Sequence, residues 1–209
     1  MTARVVVLDY GSGNLRSAER ALARVGADVT VTADLDAALD AHGLVVPGVG
    51  AFAACMAGIR RIGGEKVIAN RIERERPVLG ICVGMQVLFT AGVEHGVRTE
   101  GCGVFSGTVE RLAAPVLPHM GWNTIAPPDG SVLFTGIPDG TRFYFVHSYA
   151  LRMADAGPLR EAGAKITVTE HGEPFAAAVE LGTVAATQFH PEKSGDAGVT
   201  VLANWLGTL

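Results

Sequence analysis

The sequence predicts an α/β fold built on an open, mixed and mostly parallel sheet that is flanked by helices. The first half alternates short apolar strands with helical segments, an order typical of parallel sheets covered on both faces. The second half is β-rich, with apolar segments separated by Gly-containing turns. Because no repeat, low-complexity tract or linker interrupts the 209 residues, we expect a single domain over residues 1–209.

The first half contains signals for four strands and four helices in alternation. In the first helix Leu15, Ala18 and Leu22 recur at helical spacing, with charged residues on the other side. The turn before this helix contains Gly11 and Gly13. The predicted strands cover residues 4–8, 29–32, 44–46 and 77–81, and the predicted helices cover residues 15–25, 35–41, 52–75 and 85–91.

Four β-rich segments and a final helix make up the second half. Turn signals at Gly172 and Gly182 separate the later strands. The last helix is predicted to begin at about Asp196, with Ser194 as its N-cap. The β-rich segments cover residues 108–112, 142–151, 165–169 and 176–189.

Composition and charge exclude several classes of protein. Hydrophobic residues make up 48% of the chain and charged residues 18%, which allows a well-covered core. The net charge of −4 argues against a general nucleic-acid binder, which would carry a basic face. No apolar stretch approaches the roughly 20 residues of a membrane span, and the N-terminus lacks a signal-peptide core. We therefore expect a cytoplasmic protein that binds neither nucleic acid nor membranes.

The cysteines argue against a disulfide framework or a metal site. Cys55, Cys82 and Cys102 are odd in number and have no C-x-x-C spacing, a usage typical of reduced thiols. We accordingly expect no metal and no cofactor.

The segment Gly80-Ile81-Cys82-Val83-Gly84 has the spacing and the strand–turn–helix context of a nucleophile elbow. Glycines are needed beside the nucleophile because the sharp turn brings backbone segments close together. At the start of the predicted helix 85–91, the unpaired N–H groups would favour a thiolate. A free cysteine is in general more often a buried apolar residue. The flanking pattern nevertheless selects Cys82, and neither Cys55 nor Cys102, as the catalytic nucleophile.

His190 and Glu192, which are two residues apart, are candidates for the catalytic base and for the carboxylate that orients it. Residues two apart in an extended chain project to the same side, so the carboxylate can orient the imidazole. Pro191 fits a strand end, where a backbone donor is not needed. The alternative is a solvated pair on a loop. Of the six histidines, only His190 combines a preceding apolar strand with such a carboxylate.

An acyl-transfer site also requires hydrogen-bond donors for the oxyanion. The segment Pro47-Gly48-Val49-Gly50 follows the third strand and therefore reaches the same sheet edge as Cys82. Its peptide N–H groups, at Val49 or Gly50, are candidate donors, and the amide of Val83 is the second. Taken alone, this segment is simply a tight βα turn.

With these residues identified, the chain resembles the class I (triad) glutamine amidotransferases. More narrowly, it resembles the glutaminase subunits of imidazole glycerol phosphate synthase, which act in histidine biosynthesis. The resemblance spans nearly the whole chain and implies the flavodoxin-like sheet of that family. Its motifs are residues 80–86, His190-Pro191-Glu192, Asp9-Tyr10-Gly11-Ser12-Gly13-Asn14-Leu15, residues 47–52, His119-Met120-Gly121-Trp122-Asn123, Phe145-Val146-His147-Ser148-Tyr149 and Lys193-Ser194. Val83 stands where the family pattern has leucine.

The resemblance implies that glutamine is hydrolysed through a γ-glutamyl thioester on Cys82, releasing ammonia. Gln86 and Glu94 match the positions that hold the amino-acid head group of glutamine, assisted by the backbone of Ser148 and Tyr149. Without the resemblance, Glu94 would be read as a surface carboxylate and Gln86 as a helix-surface amide.

The resemblance also implies a partner, the cyclase subunit, whose (β/α)₈ barrel needs about 250 residues of its own. Ammonia would pass to that subunit, which makes imidazole glycerol phosphate and aminoimidazole carboxamide ribotide. Lys193, Trp122, Tyr144, His119 and Met120 match interface or gate positions, with a charged contact expected for Lys193. Members of this family often depend on activation by the partner's nucleotide, which suggests an oxyanion loop mispositioned at rest.

Three other readings stay open at this point. The glutaminase subunit of pyridoxal phosphate synthase shares the triad but does not match His119-Met120-Gly121-Trp122-Asn123 or Lys193-Ser194. A catalytically silent regulatory module would keep the fold, although the intact triad argues against it. A nucleotide phosphate loop at Gly11-Ser12-Gly13 lacks the full glycine pattern and a matching acidic residue.

Overall fold

A seven-stranded mixed sheet organises the chain in the computed structural model, which describes residues 2–209. The strands are β1 Arg4–Leu8, β2 Asp28–Thr32, β3 Gly43–Gly48, β4 Val78–Cys82, β5 Phe89–Glu94, β6 Val97–Glu100, β7 Phe105–Arg111, β8 His119–Thr124, β9 Arg142–His147, β10 Tyr149–Ala150, β11 Lys165–His171, β12 Glu173–Leu181 and β13 Val184–Thr187. The helices are α1 Leu15–Arg24, α2 Leu35–Asp40, α3 Phe52–Ile62, α4 Gly64–Glu73, α5 Val83–Gln86, α6 Gly157–Glu161 and α7 Gly195–Leu206, with 3₁₀ turns at Met153–Asp155 and Pro191–Lys193.

The main sheet has the strand order β11-β12-β13-β4-β3-β1-β2. Its strands from β13 to β2 are parallel, while β12 and β11 add in antiparallel fashion at one side. The α/β class and the mostly parallel sheet predicted from the sequence are therefore confirmed. Residues 89–150 add a four-stranded sheet, β10-β7-β5-β6, and a two-stranded sheet, β8-β9.

The central strands are continuous apolar runs, as expected for strands covered on both faces. Every residue of β3 and of β4 is buried. The pairing registers place Gly48 of β3 opposite Cys82 of β4, and Thr187 of β13 opposite Ile81. Because the three strands are parallel and adjacent, the loops that follow them leave at the same edge of the sheet.

Several predicted boundaries are wrong. The helix expected over residues 52–75 is interrupted at Gly63, whose φ of 76° ends α3 and starts α4. The β-rich segment over residues 142–151 is divided into β9 and β10. The predicted turn at Gly182 does lie between β12 and β13. Strands β5, β6 and β8 have no counterpart in the sequence-based prediction. Within residues 2–209, no helix is long and apolar enough to span a membrane.

Candidate active site

Cys82 occupies a strained turn between β4 and α5. Its backbone has φ 56° and ψ −113°, a left-handed conformation that is unfavourable for a residue with a side chain. A Cβ atom on Gly84 would lie 1.8 Å from the carbonyl oxygen of Val46, and one on Gly80 would lie 2.8 Å from the oxygen of Gly84. Only glycine fits at these two positions, as the sequence predicts for a nucleophile elbow.

The helix expected after the elbow is much shorter than predicted. Residues 83–86 form the single turn of α5, and the chain then enters β5 instead of continuing helically through residue 91. The apolar residues 87–89 suit a helix and a buried strand equally, so their periodicity does not separate the two. Because four residues sum few peptide dipoles, the helix field contributes little here. Activation of Cys82 rests instead on its side-chain neighbours.

His190 and Glu192 form a buried pair beside Cys82. The Nδ1 of His190 donates to Oε1 of Glu192 at 2.7 Å, and each side chain is only 2% exposed. Burial alone would lower the pKa of His190, but hydrogen bonds with Cys82 and with Glu192 outweigh it and raise the pKa to about 9. The imidazole is therefore protonated at neutral pH, which stabilises a negatively charged sulfur beside it.

Asn14 holds the carboxylate of this pair, a role that the sequence reasoning missed. Its Nδ2 donates to Oε1 of Glu192 at 2.8 Å. The other oxygen, Oε2, is buried and has no hydrogen-bond partner among the described residues. Asn14 itself has φ 67°, a conformation that asparagine tolerates better than most residues. The two residues are 178 positions apart, so no local pattern connects them.

The backbone of β9 fixes the position of His190. The His190 amide donates to the Tyr144 carbonyl at 2.9 Å. Ser194 Oγ donates to the His190 carbonyl at 2.7 Å and accepts from the Tyr144 amide at 3.0 Å. Ser194 does stand at the N-cap of α7, but its side chain makes no capping hydrogen bond. Its hydroxyl instead connects the loop that carries His190 to β9.

Cys82 and His190 line a cavity whose lining also includes the predicted glutamine-binding residues. Both protons of the Gln86 amide are used, because Nε2 donates to the Tyr149 carbonyl at 2.8 Å and to Oε1 of Gln188 at 3.0 Å. The Gln86 oxygen is thus the group left to accept from a ligand. The cavity is lined by Val49, Gly50, Cys82, Val83, Gln86, Glu94, Val146, His147, Ser148, Tyr149, His190 and Lys193.

Glu94 and Gln188 complete the polar lining. One oxygen of Glu94, Oε2, accepts from the backbone amide of Phe52 at 2.9 Å, so the other oxygen can accept from an ammonium group. Gln188 is buried, and its Nε2 lies 3.8 Å from Sγ of Cys82. No local pattern in the sequence selects Gln188, although it lies only two residues before His190.

The candidate oxyanion loop after β3 is held by side chains from outside the triad. The Val49 amide donates to Oγ of Ser12 at 3.2 Å, and the Val49 carbonyl accepts from Sγ of Cys55 at 3.4 Å. The hydroxyl of Tyr10 donates to the Pro47 carbonyl. In this conformation the Val49 N–H is directed to Ser12, so it does not serve the oxyanion of Cys82.

The predicted interface residues divide into two groups. Met120 and Trp122 are 67% and 54% exposed, and the ring of Tyr144 packs edge-on against Trp122 with centroids 6.0 Å apart. Lys193 is exposed and also lines the cavity. His119 differs from the others because its side chain is buried, at 5% exposure. Alternate residues of β8 face opposite sides, so His119 points inward while Met120 points outward.

Comparison with known proteins agrees with this geometry. A family model described as glutamine amidotransferase class-I matches residues 6–207. The chain is 65% identical to imidazole glycerol phosphate synthase subunit HisH of Nocardia farcinica, with 98% of each chain covered. It is 63% identical to the HisH subunit of Mycobacterium tuberculosis (strain ATCC 25618 / H37Rv), with both chains covered in full. With the HisH subunit of Thermobifida fusca the identity is 61%, again over the whole of both chains.

Solved structures show the same fold at low sequence identity. A crystal structure of a glutamine amidotransferase has a TM-score of 0.75 at 21% identity, covering 98% of this chain and 99% of the other. The structure of PurLQS from Thermotoga maritima has a TM-score of 0.74, also at 21% identity, covering 100% of this chain and 99% of the other. The chain therefore belongs to the class I glutamine amidotransferases and, within that family, to the HisH subunits of imidazole glycerol phosphate synthase.

Proposed function

We propose that this chain hydrolyses glutamine to glutamate and ammonia through a thioester on Cys82. The observation that carries the proposal is that Cys82 and His190 line one cavity with Gln86 and Glu94, while Glu192 accepts a hydrogen bond from His190 behind it. Thiol, imidazole and carboxylate are the three groups that acyl transfer through sulfur requires.

The first half of the reaction uses the protonated imidazole. With the thiol proton already held by His190, the sulfur of Cys82 attacks the γ-carbonyl carbon of glutamine, and the carbonyl oxygen becomes an oxyanion. His190 then gives its Nε2 proton to the leaving nitrogen, so that ammonia departs and the thioester forms. Glu192 holds the other ring nitrogen, which fixes the tautomer and orientation of His190 throughout.

The second half returns the enzyme to its starting state. After losing its proton, His190 takes one from water, which attacks the thioester and releases glutamate. The amide of Val83 is a candidate oxyanion donor in both steps, because the first N–H groups of a helix have no intrahelical partner.

Gln86 and Glu94 are placed to bind the amino-acid end of the substrate. Glutamine carries an α-ammonium group, for which the Gln86 oxygen and a Glu94 oxygen are acceptors. Ser148 and Tyr149, whose backbone is proposed to assist, line the same cavity. These roles predict a loss of substrate affinity, rather than of chemistry, when either side chain is removed.

We further propose that the ammonia is delivered to a separate cyclase subunit with a (β/α)₈ barrel. Support comes from the relatives, which are named as subunits of imidazole glycerol phosphate synthase. In the cyclase, ammonia would complete imidazole glycerol phosphate and aminoimidazole carboxamide ribotide. The exposed Met120 and Trp122, with Tyr144 and Lys193 nearby, are the proposed contact residues.

In this proposal the loop after β3 is the part of the site that the partner activates. Its Val49 N–H is bonded to Ser12 and must turn toward the thioester before it can bind the oxyanion. Ser12→Ala removes this acceptor, and we expect it to raise glutaminase activity without the partner by about twofold to tenfold. If Ser12→Ala left the activity of the free subunit unchanged, the hydrogen bond between the Val49 amide and Ser12 would not be what restrains the loop.

The test of the function is release of glutamate and ammonia from glutamine. The chain is assayed alone, and then with the cyclase subunit and its nucleotide ligand. We expect a large increase in the complete mixture, loss of turnover in Cys82→Ala, and normal turnover in the matched control Cys102→Ala. Activity that does not change when the cyclase subunit is added would place the chain in another branch of the amidotransferases. No activity in any mixture would indicate a catalytically silent module.

A further inference from the structure

Two buried histidines connect β8 with the carbonyl that holds Gln86. Nδ1 of His119 lies 3.1 Å from Nε2 of His147, and Nδ1 of His147 lies 3.0 Å from the Tyr149 carbonyl oxygen. At the other end, Nδ2 of Asn123 lies 3.2 Å from Nε2 of His119. These contacts form a continuous chain from β8 to the wall of the cavity.

The chemistry of the end groups fixes the direction of every hydrogen bond. A carbonyl oxygen only accepts, so His147 carries its proton on Nδ1 and accepts at Nε2. His119 must then donate from Nδ1 and accept at Nε2, where the Asn123 amide donates. The orientation of that amide agrees, because its oxygen accepts from the Thr124 amide at 2.9 Å. Each imidazole thus carries one N–H proton. All the hydrogen bonds are donated in the same direction, from Asn123 toward the Tyr149 carbonyl.

The surroundings of the pair keep both rings neutral. His119 stacks on His171 with centroids 4.3 Å apart, and the rings of Phe145 and Phe175 enclose His147. Burial, reinforced by the neighbouring imidazoles, lowers the pKa of His119 to about 4 and that of His147 to about 3. At neutral pH neither ring has a second proton that would reverse the bonds.

The two ends of the chain have different exposure. At the inner end, the Tyr149 oxygen accepts from both His147 and Gln86, so both lone pairs are used and the peptide plane is fixed. At the outer end, Asn123 and His119 both belong to β8, and Asn123 is half-buried next to the exposed Trp122. A displacement of β8 therefore moves His119 and, through it, the Tyr149 peptide.

We propose that His119 and His147 are positioning residues that set the glutamine-binding wall of the cavity and connect it to the exposed face of β8. The proposal rests on the glutaminase function proposed above, since it assigns these residues to the substrate end of that site. Neither residue takes part in proton transfer. Their effect is on glutamine affinity, because the peptide that they hold adjoins Gln86, not the Cys82 sulfur.

The two ends of each ring can be tested separately by amide substitutions. Asparagine places its amide near the Nδ1 position of histidine, and glutamine places its amide near the Nε2 position. His147→Asn therefore keeps a donor for the Tyr149 carbonyl, whereas His147→Gln removes it and keeps the contact with His119. Likewise His119→Asn keeps the donor to His147, and His119→Gln removes it.

The assay is glutamine turnover by the complex with the cyclase subunit and its nucleotide ligand. We expect His147→Gln and His119→Gln to raise the KM for glutamine by about threefold to tenfold, with kcat within about twofold of wild type. The matching variants His147→Asn and His119→Asn should raise the KM for glutamine by a smaller factor. His171→Gln is the control, since His171 stacks on His119 but donates to the Val116 carbonyl, outside the chain of bonds.

A direct measurement of affinity separates this proposal from the proposed function. Calorimetric titration with glutamine is repeated in a Cys82→Ala background, where binding is measured without turnover. The positioning role is supported if His147→Gln and His119→Gln bind glutamine more weakly than the matching asparagine variants, with the same thermal unfolding temperature within each pair. This holds even if the wild-type chain were inactive. Equal KM values within each pair, a fall in kcat alone, or an Nε2–H tautomer of His147 by ¹⁵N NMR would overturn it.

Discussion

The contact between Asn14 and Glu192 predicts a catalytic role for a residue that lies outside the cavity. The Asn14 amide is the second donor to Oε1 of Glu192, at 2.8 Å, while Oε2 has no partner among the described residues. Without Asn14 the buried carboxylate would depend on His190 alone. Asn14→Gly is the suitable variant, because glycine accepts the φ of 67° that alanine would not.

The expected loss of activity in Asn14→Gly follows from the kind of hydrogen bond that is removed. A hydrogen bond to a charged group contributes about 1.5–3 kcal/mol, which corresponds to a loss of about tenfold to 150-fold in kcat/KM. The loss should appear in kcat, because Asn14 does not line the glutamine cavity. Asn14→Asp should be more harmful, since it places a second carboxylate beside Glu192.

Glutamate release by the complex, measured over a range of glutamine concentrations, provides the test. Asn70→Ala is the control, because Asn70 donates only to the Lys66 carbonyl within α4, far from the triad. If Asn14→Gly and Asn14→Asp both keep kcat within about twofold of wild type, the carboxylate does not need its second donor and the reasoning is wrong.

Three further predictions concern the triad and the elbow. The raised pKa of His190, about 9, means that the folded chain binds this proton more tightly than the unfolded chain, whose histidine pKa is about 6.5. Its contribution to stability is complete below pH 6.5 and is lost as the pH rises through 9; urea unfolding of wild type and His190→Asn should therefore converge over that window, and a constant difference would contradict it. Gly84→Ala should abolish soluble, folded protein or activity, because the new Cβ would lie 1.8 Å from the Val46 oxygen; circular dichroism and turnover equal to wild type would contradict the close approach. Iodoacetamide at pH 8 should modify Cys82 and spare Cys102, whose pKa burial raises to about 12; peptide mass mapping with and without glutamine identifies the site, and equal labelling of the two would refute the assignment.

The parts of the site that the sequence predicts are those whose signal is local. The elbow glycines flank Cys82, and His190 lies two residues from Glu192, so spacing alone suggests their chemistry. Asn14 and Gln188 escape such reasoning because they meet their partners across 178 and 106 positions. Their contacts exist only once the parallel strands have brought distant loops to one edge of the sheet.

The errors in the predicted fold have a similar cause. The residues after the elbow are apolar in a pattern that suits both a helix and a strand. Residues 89–94 form the strand β5 because they pair with β6 and β7. This pairing is a tertiary contact that the local sequence does not specify. For β8, the sequence from His119 to Thr124 contains a glycine and several polar residues, so it lacks a strong strand signal. Its strand conformation comes from antiparallel pairing with β9.

The position of β13 has a consequence for synthesis of the chain on the ribosome. This strand is the last in the sequence, yet it lies inside the sheet, between β12 and β4. A nascent chain that has folded β1 to β4 already contains the elbow with Cys82, but it lacks the imidazole that follows β13. The proposed cleavage of glutamine therefore cannot begin before the segment that follows β13 has been made. The order of the strands thus keeps the thiol of Cys82 apart from its proposed base during synthesis, and ammonia is not released before both are in place.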